Sequence, residues 1–580
     1  MDPIKVDFSK KKGSGKKEIV IPPEKAGLKI VLSIVGMLVF AVVAFYVMLP
    51  AINLKAYEFY LYLGMVAASY VVFNGLFSSV MAKPEYIPYV KKRAIVPGII
   101  IGVLVVTVGI GYLVSSEFFR ARSYHEIIEV NTSSFTEEIE AQDIGSFKDI
   151  PKLDDESATE LANKALGDLA EKGYVSQFTA SPESTQINYN GTPVKVAPLQ
   201  YASIIKWLYN TKNGLPGYVI IDMADEKTEF KEATVKYSTA EYFNEKLSRH
   251  LRFNYPTYMF GDANFEINDE GKPYWLCPVL DKTIGLFGGT DVIGAVMVDA
   301  ATGECVYHDI ETYRTDKSLE WIDRVYDSDL IVEQYNYYGK YVDGFWNSIL
   351  NQEGVVTTTQ GYNYIAKDND VWMYTGVTSV TSDNSITGFV LVNQRTKEAQ
   401  YYPVTGGTEA AAQGAAQGRV EDLGYTATFP LIVNIDGNPT YFMSLKDKNK
   451  IVQQYALINV NQFNKIGATS SDLSACLENY RKSLKSNGIE GVVEEKPPVA
   501  DTPDVPAVEA KLATGTISEI RTAVKGGDSY YYIKLDSNAA YFSIAASKDE
   551  TVVILNKGDN VTVTYSGEGA IIAAESIKIN

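Results

Sequence analysis

The sequence predicts an α+β protein: three N-terminal transmembrane helices, then antiparallel sheet-and-helix repeats, then a small C-terminal β-barrel. Three observations carry that reading. Residues 27–116 hold three apolar runs of membrane-spanning length, one ten-residue turn pattern recurs without gaps, and residues 513–580 read as strand nearly throughout.

Leu28 to Leu49, Phe59 to Met81 and Ile95 to Ser115 are each about 20 residues of predominantly apolar sequence. At ~1.5 Å rise per residue, each crosses a ~30 Å hydrocarbon core. No Asp, Glu, Lys, Arg or His lies between Ile30 and Leu54 or between Ala94 and Ser116, unlike the apolar hairpins of soluble cores. Lys5, Lys10, Lys11, Lys12, Lys16, Lys17 and Lys25 precede the first run, and Lys83, Lys91, Lys92 and Arg93 fill the second loop, against Lys55 alone in the first loop. Basic residues stay cytoplasmic, so residues 1–26 form a cytoplasmic tail and 117–580 lie outside the plasma membrane. The first run is too long for a cleaved signal peptide and two more runs follow it, so it reads as a retained anchor. Runs without ionisable residues argue against a pump or ion-coupled transporter. Gly98 and Gly102 give a GxxxG spacing that suits close helix packing, within this block or against a partner, and Asn74 is placed to hydrogen-bond a neighbouring helix.

The chain has net charge −18; residues 1–115 carry 13 Lys+Arg against 6 Asp+Glu, and the rest 40 against 65. So acidic an exterior repels a phosphate backbone, which excludes nucleic acid as a partner. Cys277, Cys305 and Cys476 are too few for a disulfide framework, and His125, His250 and His308 have no partner at zinc-ligand spacing, so no metal or cofactor is expected.

Residues 117–154 read as a stalk, 155–260 as a first α+β unit, 261–350 and 351–488 as repeats, and 489–512 as a linker rich in proline and acidic residues. Asp154 or Asp155 caps a helix running to Glu171, with Leu161, Ala165, Leu166 and Leu169 on one face and Gly173 as its stop. Ser238 to Glu241 reads as a capping box opening a second helix. A third spans Ser470 to Asn487, with Leu473, Leu477, Tyr480 and Leu484 inward and Gly488 ending it.

The repeat is clearest where Val298 to Tyr307 aligns with Val392 to Tyr401, keeping Val, an Asp or Asn turn opener, Thr, Glu and Tyr in step. Trp275 then matches Trp372, and Arg324-Val325 matches Arg419-Val420. Looser copies fall at Ile221 to Phe230 and Phe429 to Leu445, the latter turning at Asp436-Gly437. The segment Val298-Asp-Ala-Ala-Thr-Gly-Glu304 resembles the turn of PepSY-type extracytoplasmic repeats; the second copy departs from it at Lys397, where glycine is usual. The resemblance spans residues 155–487 and implies binding or restraint of other proteins. Strands near Cys277, Val296 and Cys305, laid side by side, separate the two cysteines by a middle strand, beyond disulfide reach.

Residues 513–580 divide into strands at Gly515 to Arg521, Tyr530 to Leu535, Tyr541 to Ala545, Thr551 to Leu555, Asn560 to Tyr565 and Ile571 to Ile579, with turns at Gly526-Gly527 and Lys557 to Asp559. This pattern resembles an OB-fold or another small Greek-key barrel. Tyr530, Tyr532 and Tyr541 are its candidate ligand residues. With 7 Lys+Arg against 8 Asp+Glu from residue 510 onward, a saccharide, peptide or protein fits better than DNA.

Elsewhere, candidate sites compete with structural explanations. His250, in Arg249-His-Leu-Arg252, is the one histidine in a suggestive setting, yet cations there also suit a helix C-terminus. Asp281, Asp291 and Asp299 lack calcium-loop spacing, and Asp299 is explained as a turn residue. Tyr335, Tyr337, Tyr338 and Tyr341 with Trp346 make either an aromatic platform, with Tyr337, Tyr338 and Trp346 presented to a ligand, or a buried helix face. No GxSxG, HExxH, SxxK or P-loop pattern occurs. The expectation is a membrane-anchored binding or scaffolding protein of the bacterial cell envelope acting through protein partners; an envelope hydrolase and a sensor subunit signalling through partner transmembrane helices are the other readings.

Overall fold

Ala26–Met48, Tyr57–Phe77 and Ile95–Ser115 are helices long and apolar enough to cross a membrane. They open a computed structural model that describes residues 20–140, 150–167, 173–380, 385–489, 511–525, 528–546, 548–565, 569 and 571–580. The first two helices cross where Gly36 faces Phe73; a Cβ at Gly36 would stand 2.8 Å from that ring, so only glycine fits. Asn74 is buried against the first helix, its Nδ2 donating to Ser33 Oγ at 3.3 Å.

Residues 155–486 fold as four copies of one unit. Each begins with a helix, sets two short strands end to end along one edge of a long third strand, and adds a fourth and fifth strand on the other edge. The helices are Asp155–Gly167, Leu247–Asn254, Ser328–Lys340 and Glu409–Gly418. The long third strands are Thr192–Tyr201, Pro273–Ile284, Asp370–Ser379 and Asn438–Lys446. In units one, three and four a two-residue turn enters the third strand, at Asn190-Gly191, Asp368-Asn369 and Asp436-Gly437, and both residues of each have positive φ. That conformation matches the right-handed twist of the paired strands and selects Asn, Asp and Gly.

The recurrent sequence pattern is the turn from fourth to fifth strand. Asp299 accepts from the backbone N–H of Ala301 and Thr302 at 2.9 and 2.8 Å, and Asn393 accepts from Arg395 and Thr396 at 2.8 and 2.9 Å. Asp222 in unit one does the same with Ala224 and Asp225, at 2.9 and 2.8 Å. Four residues after each opener the chain turns left-handed, at Gly303 (φ 76°), Lys397 (φ 66°) and Glu226 (φ 59°). Lys397 therefore occupies the glycine position without changing the turn. In unit four the opener is Asn459, which accepts from Gln462 N at 2.9 Å and opens a longer turn; Asp436-Gly437 belongs to the other hairpin.

Strand register shifts part of the sequence alignment. Trp372 lies opposite Asn393, whereas Asp299 lies opposite Tyr274, so Tyr274 rather than Trp275 is the counterpart of Trp372. Arg324 precedes the helix of unit three while Arg419 follows the helix of unit four, so that match is fortuitous. Unit boundaries move as well: Met259–Phe260 pair with the third strand of unit two, and Ser328–Lys340 opens unit three. Ser238 to Glu241 is a turn and not a helix start; Glu241 is buried, accepting from Tyr201 Oη at 2.5 Å and Trp207 Nε1 at 2.6 Å. Leu169 and the predicted end of the first capped helix, Glu171, lie outside the described residues.

Glu117 to Leu153 is not a stalk over its described part. Glu117–His125 is a helix packed on Ser328–Lys340, Val130–Thr132 adds a parallel strand to unit three, and Phe135 and Ile139 enter the core of units three and four. These apolar residues have no helical or strand period; tertiary contacts order them instead.

Units one and two share an apolar core around Val196, Val219, Trp275 and Val296. Units three and four share another around Tyr374, Leu391, Tyr441 and Leu457. Units two and three join through Val292, Ile331, Tyr335 and Val390. Unit four meets unit one differently: Lys446 pairs with Asp154 and Glu156, Lys450 Nζ stands 3.1 Å from Glu156, and Ser157 Oγ donates to Lys450 O at 3.0 Å, with Val452 the apolar addition. Cys277 and Cys305 lie on strands separated by Gly288–Asp299, and all three cysteines are free thiols.

Residues 511–579 form a separate closed barrel of five strands, Lys511–Lys525, Asp528–Leu535, Tyr541–Ala545, Asn560–Tyr565 and Ile571–Ile579. Thr551 to Leu555, expected as a strand, falls instead in a 3-10 helix, Glu550–Ile554, capped by Asp549, with Val552 buried in the barrel core. Gly526-Gly527 and most of the linker, residues 490–510, lie outside the described residues.

Candidate functional site

The aromatic cluster of unit three resolves into two environments. Tyr335 and Tyr341 are buried. Tyr337 is half-buried, stacked on Tyr341 and packed on Tyr124, and its hydroxyl donates to Glu333 at 2.9 Å. Tyr338 stacks on His125 with ring centroids 4.8 Å apart. The helix Glu117–His125 thus occupies the face that Tyr337 and Tyr338 would offer a ligand. Trp346 is exposed, its ring edge-to-face with Phe118 and Phe345.

On the barrel, strand alternation sends Ile533, Leu535, Phe542 and Ile544 inward and leaves Tyr530, Tyr532, Lys534 and Tyr541 on the outer face. Arg521 lies opposite Tyr532, and Lys534 lies opposite both Glu519 and Tyr541. The Tyr541 ring sits between two cations, 5.5 Å from Arg521 and 5.4 Å from Lys534, and its hydroxyl donates to Glu519 at 2.6 Å. That hydroxyl, with Arg521, holds the Glu519 carboxyl below its ordinary value. The face combines stacking surface with both charge signs.

His250 Nε2 lies 2.7 Å from Gly303 O and its ring packs on Tyr237, so it braces the recurrent turn of unit two. Asp281 and Asp291 are directly paired across strands, but each is claimed by a lysine, Lys55 at 2.8 Å and Lys397 at 2.7 Å; Asp299 pairs with Lys272 at 2.6 Å. Among the described residues, no group of three His, Cys, Asp or Glu side chains is placed to hold a metal ion. Gly98 and Gly102 have no heavy atom within 4 Å of a Cβ built on them, so they do not pack inside the three-helix block.

Sequence reasoning missed where the repeats meet the spans. The hairpin tip Gly285-Leu286-Phe287 of unit two inserts between the ends of the second and third helices. Phe287 packs on Tyr60 and Tyr112, with centroids 5.8 and 5.0 Å apart, and Ser115 Oγ accepts from the N–H of Leu286 and Phe287 at 2.8 and 2.9 Å. Around this tip, Ile52 N donates to Pro256 O at 2.8 Å and Arg252 Nε donates to Leu49 O at 3.0 Å. Glycines are the available signal: a Cβ at Gly111 would stand 2.4 Å from the Phe287 ring, one at Gly285 2.4 Å from Ser115 Oγ and one at Gly288 2.1 Å from Tyr124 Oη.

Two concavities accompany these contacts. One of about 300 Å³ lies between the first loop and unit two, lined by Lys55, Glu58, Arg252 and Lys282. Another of about 370 Å³ lies among units one, three and four, lined by Glu138, Pro193, Lys367 and Ile432; Tyr402 Oη donates to Glu138 at 2.8 Å. At a third junction, buried Glu266 accepts from the N–H of Asp323 and Arg324 at 2.9 and 3.0 Å, and burial raises the carboxyls of both Glu266 and Asp323.

No family model matches the chain, and no curated protein matches it. Among solved structures, a levansucrase variant from B. megaterium aligns at 9% identity over 79% of this chain and 97% of that one, with a TM-score of 0.17. A score that low carries no argument.

Proposed function

We propose that this protein is a membrane-anchored binding or scaffolding component of the bacterial cell envelope, its N-terminus cytoplasmic and residues 117–580 extracytoplasmic, acting through protein partners. The observation that carries it is the fourfold repetition of one helix-and-sheet unit, seated directly on three apolar helices. Repetition multiplies binding surface on a rigid frame. The PepSY-like reading is supported by the shared turn of Asp222, Asp299 and Asn393, and the OB-like reading by the closed five-stranded barrel. The barrel's Tyr530, Tyr532 and Tyr541 face suits a peptide or saccharide, since its rings offer stacking and its Arg521, Lys534 and Glu519 offer hydrogen bonds. In-cell crosslinking of the full-length protein with mass-spectrometric mapping tests this. Reproducible links from the repeats or barrel to a few envelope proteins are expected; a protein that crosslinks only to itself overturns the scaffold.

The uncovered Gly98 and Gly102 favour a second reading, a sensor subunit coupled to partner transmembrane helices. Leucine at both positions separates the two, abolishing partner recovery for the sensor and leaving it intact for the scaffold.

A further inference from the structure

We propose that two aromatic feet of the repeat region, Phe253 on unit two and Trp346 with its neighbours on unit three, insert into the surface of the same bilayer that the three helices cross. The proposal rests on the membrane reading and goes beyond it, because both feet belong to segments remote in sequence from the spans.

The first argument is inverted amphipathicity. The short helix Gly344–Ile349 turns its polar residues Asn347 and Ser348 into the protein, and Asn347 Nδ2 donates to Glu353 O at 2.8 Å. Three apolar residues point out: Trp346 is 63% exposed, Ile349 53% and Leu350, at its end, 71%, while Phe345 packs on Tyr341. A helix facing water buries the opposite side. Phe118 and Phe119 extend the patch, both exposed.

The second argument is depth. Phe118 stands three residues beyond Ser115, where the third helix ends, and its ring lies 5.0 Å from Phe345 and 5.9 Å from Trp346. On the other side, Phe253 is 57% exposed and packs on Phe45 and Tyr46, in the last turn of the first helix, at 5.9 and 6.3 Å. Contact with the helix ends fixes both feet at the level where hydrocarbon gives way to headgroups. That level is where aromatic side chains are enriched and where surface helices bury their apolar side ~5–10 Å deep.

The third argument is charge. The Arg249 guanidinium covers the Tyr46 ring at 4.1 Å beside one foot, and exposed Arg120 lies beside the other. Cations at this height meet lipid phosphates while their stems cover apolar surface. A protein partner or a second copy would have to compete with lipid for the same surface.

Spin labels decide the matter. In a Cys305→Ser background of the full-length protein in phosphatidylcholine–phosphatidylglycerol nanodiscs, labels are placed by Trp346→Cys, Leu350→Cys and Phe253→Cys. Val105→Cys, exposed on the third helix, serves as the hydrocarbon reference, and Tyr209→Cys, 85% exposed, as the aqueous one. Collision with oxygen and with a water-soluble nickel chelate is measured at each. The expected result is nickel access several-fold below that at 209, with oxygen access approaching that at 105, at all three foot positions. Nickel access equal to that at 209 overturns the proposal, as does protection from both quenchers, which means protein covers the patch. A water-exposed label at 105 instead overturns the membrane reading itself.

Discussion

Ser115 offers a sharp test of how the repeat region is seated. It is 3% exposed at the end of the third helix, and its hydroxyl oxygen is the acceptor for two amides, Leu286 and Phe287, while donating to Gly111 O at 2.7 Å. Ser115→Ala keeps the shape of the contact and removes only that acceptor. A hydrogen bond of this kind is worth ~1 kcal/mol net, and a buried donor left unpaired costs ~1–3 kcal/mol. Two amides sharing one lost acceptor give about 2 kcal/mol, or ~30-fold in the equilibrium for opening the hairpin tip. Hydrogen exchange of the full-length protein in nanodiscs, followed on the peptide spanning 284–288, measures this directly. Exchange there is expected to quicken by about that factor, with the barrel unaffected. Ser116→Ala is the control, because the Ser116 hydroxyl donates only to Leu113 O at 2.8 Å. Unchanged protection in Ser115→Ala, or an equal effect of Ser116→Ala, refutes the seating.

Asp370 and Arg395 form a bidentate, mostly buried pair at 2.7 Å on both arms. Asp370→Ala is expected to cost ~3–5 kcal/mol in thermal unfolding by stranding the guanidinium, and Asp370→Ala with Arg395→Met to recover part of it; strictly additive losses would dismiss the pair. Burial holds the Glu241 carboxyl above its ordinary value, so the folded state keeps a proton that the unfolded chain releases near pH ~4.3. Its contribution is full below that pH and is lost as pH rises through the folded value; Glu241→Gln should flatten that fall in denaturation midpoints measured from about pH 4 to 8. Burial also raises the Cys277 thiol and pushes Cys305 up to about 11 and Cys476 up to about 12. Iodoacetamide near neutral pH should therefore label the native protein poorly and the unfolded one fully, and a non-reducing map should contain no 277–305 bridge.

Much of the architecture was legible because its causes are local. Three runs of spanning length need no tertiary context, and the Asp222, Asp299 and Asn393 turns are held by side-chain-to-backbone bonds within a few residues. The fourth copy is not legible in the sequence at its true hairpin because Asn459 opens a longer turn that hides its likeness. Ser238 to Glu241 has the letters of a capping box, but Glu241 is drawn into the core by Tyr201 and Trp207, which no local pattern announces. Tyr337 and Tyr338 stand out in the sequence by density; what half-buries them is a helix two hundred residues earlier. Trp346 belongs to the same cluster, and only the inward turn of Asn347 and Ser348 distinguishes it.

The four units close on themselves, and the joint that binds the last unit to the first rests mainly on ion pairs. Unit two is held by the spans, whereas a pull on the chain beyond residue 489 is delivered to unit four. Of the clasp of Lys446 and Lys450 on Asp154 and Glu156, the exposed Lys450–Glu156 arm is the part that salt screens, while Lys446, buried on Asp154, is screened far less.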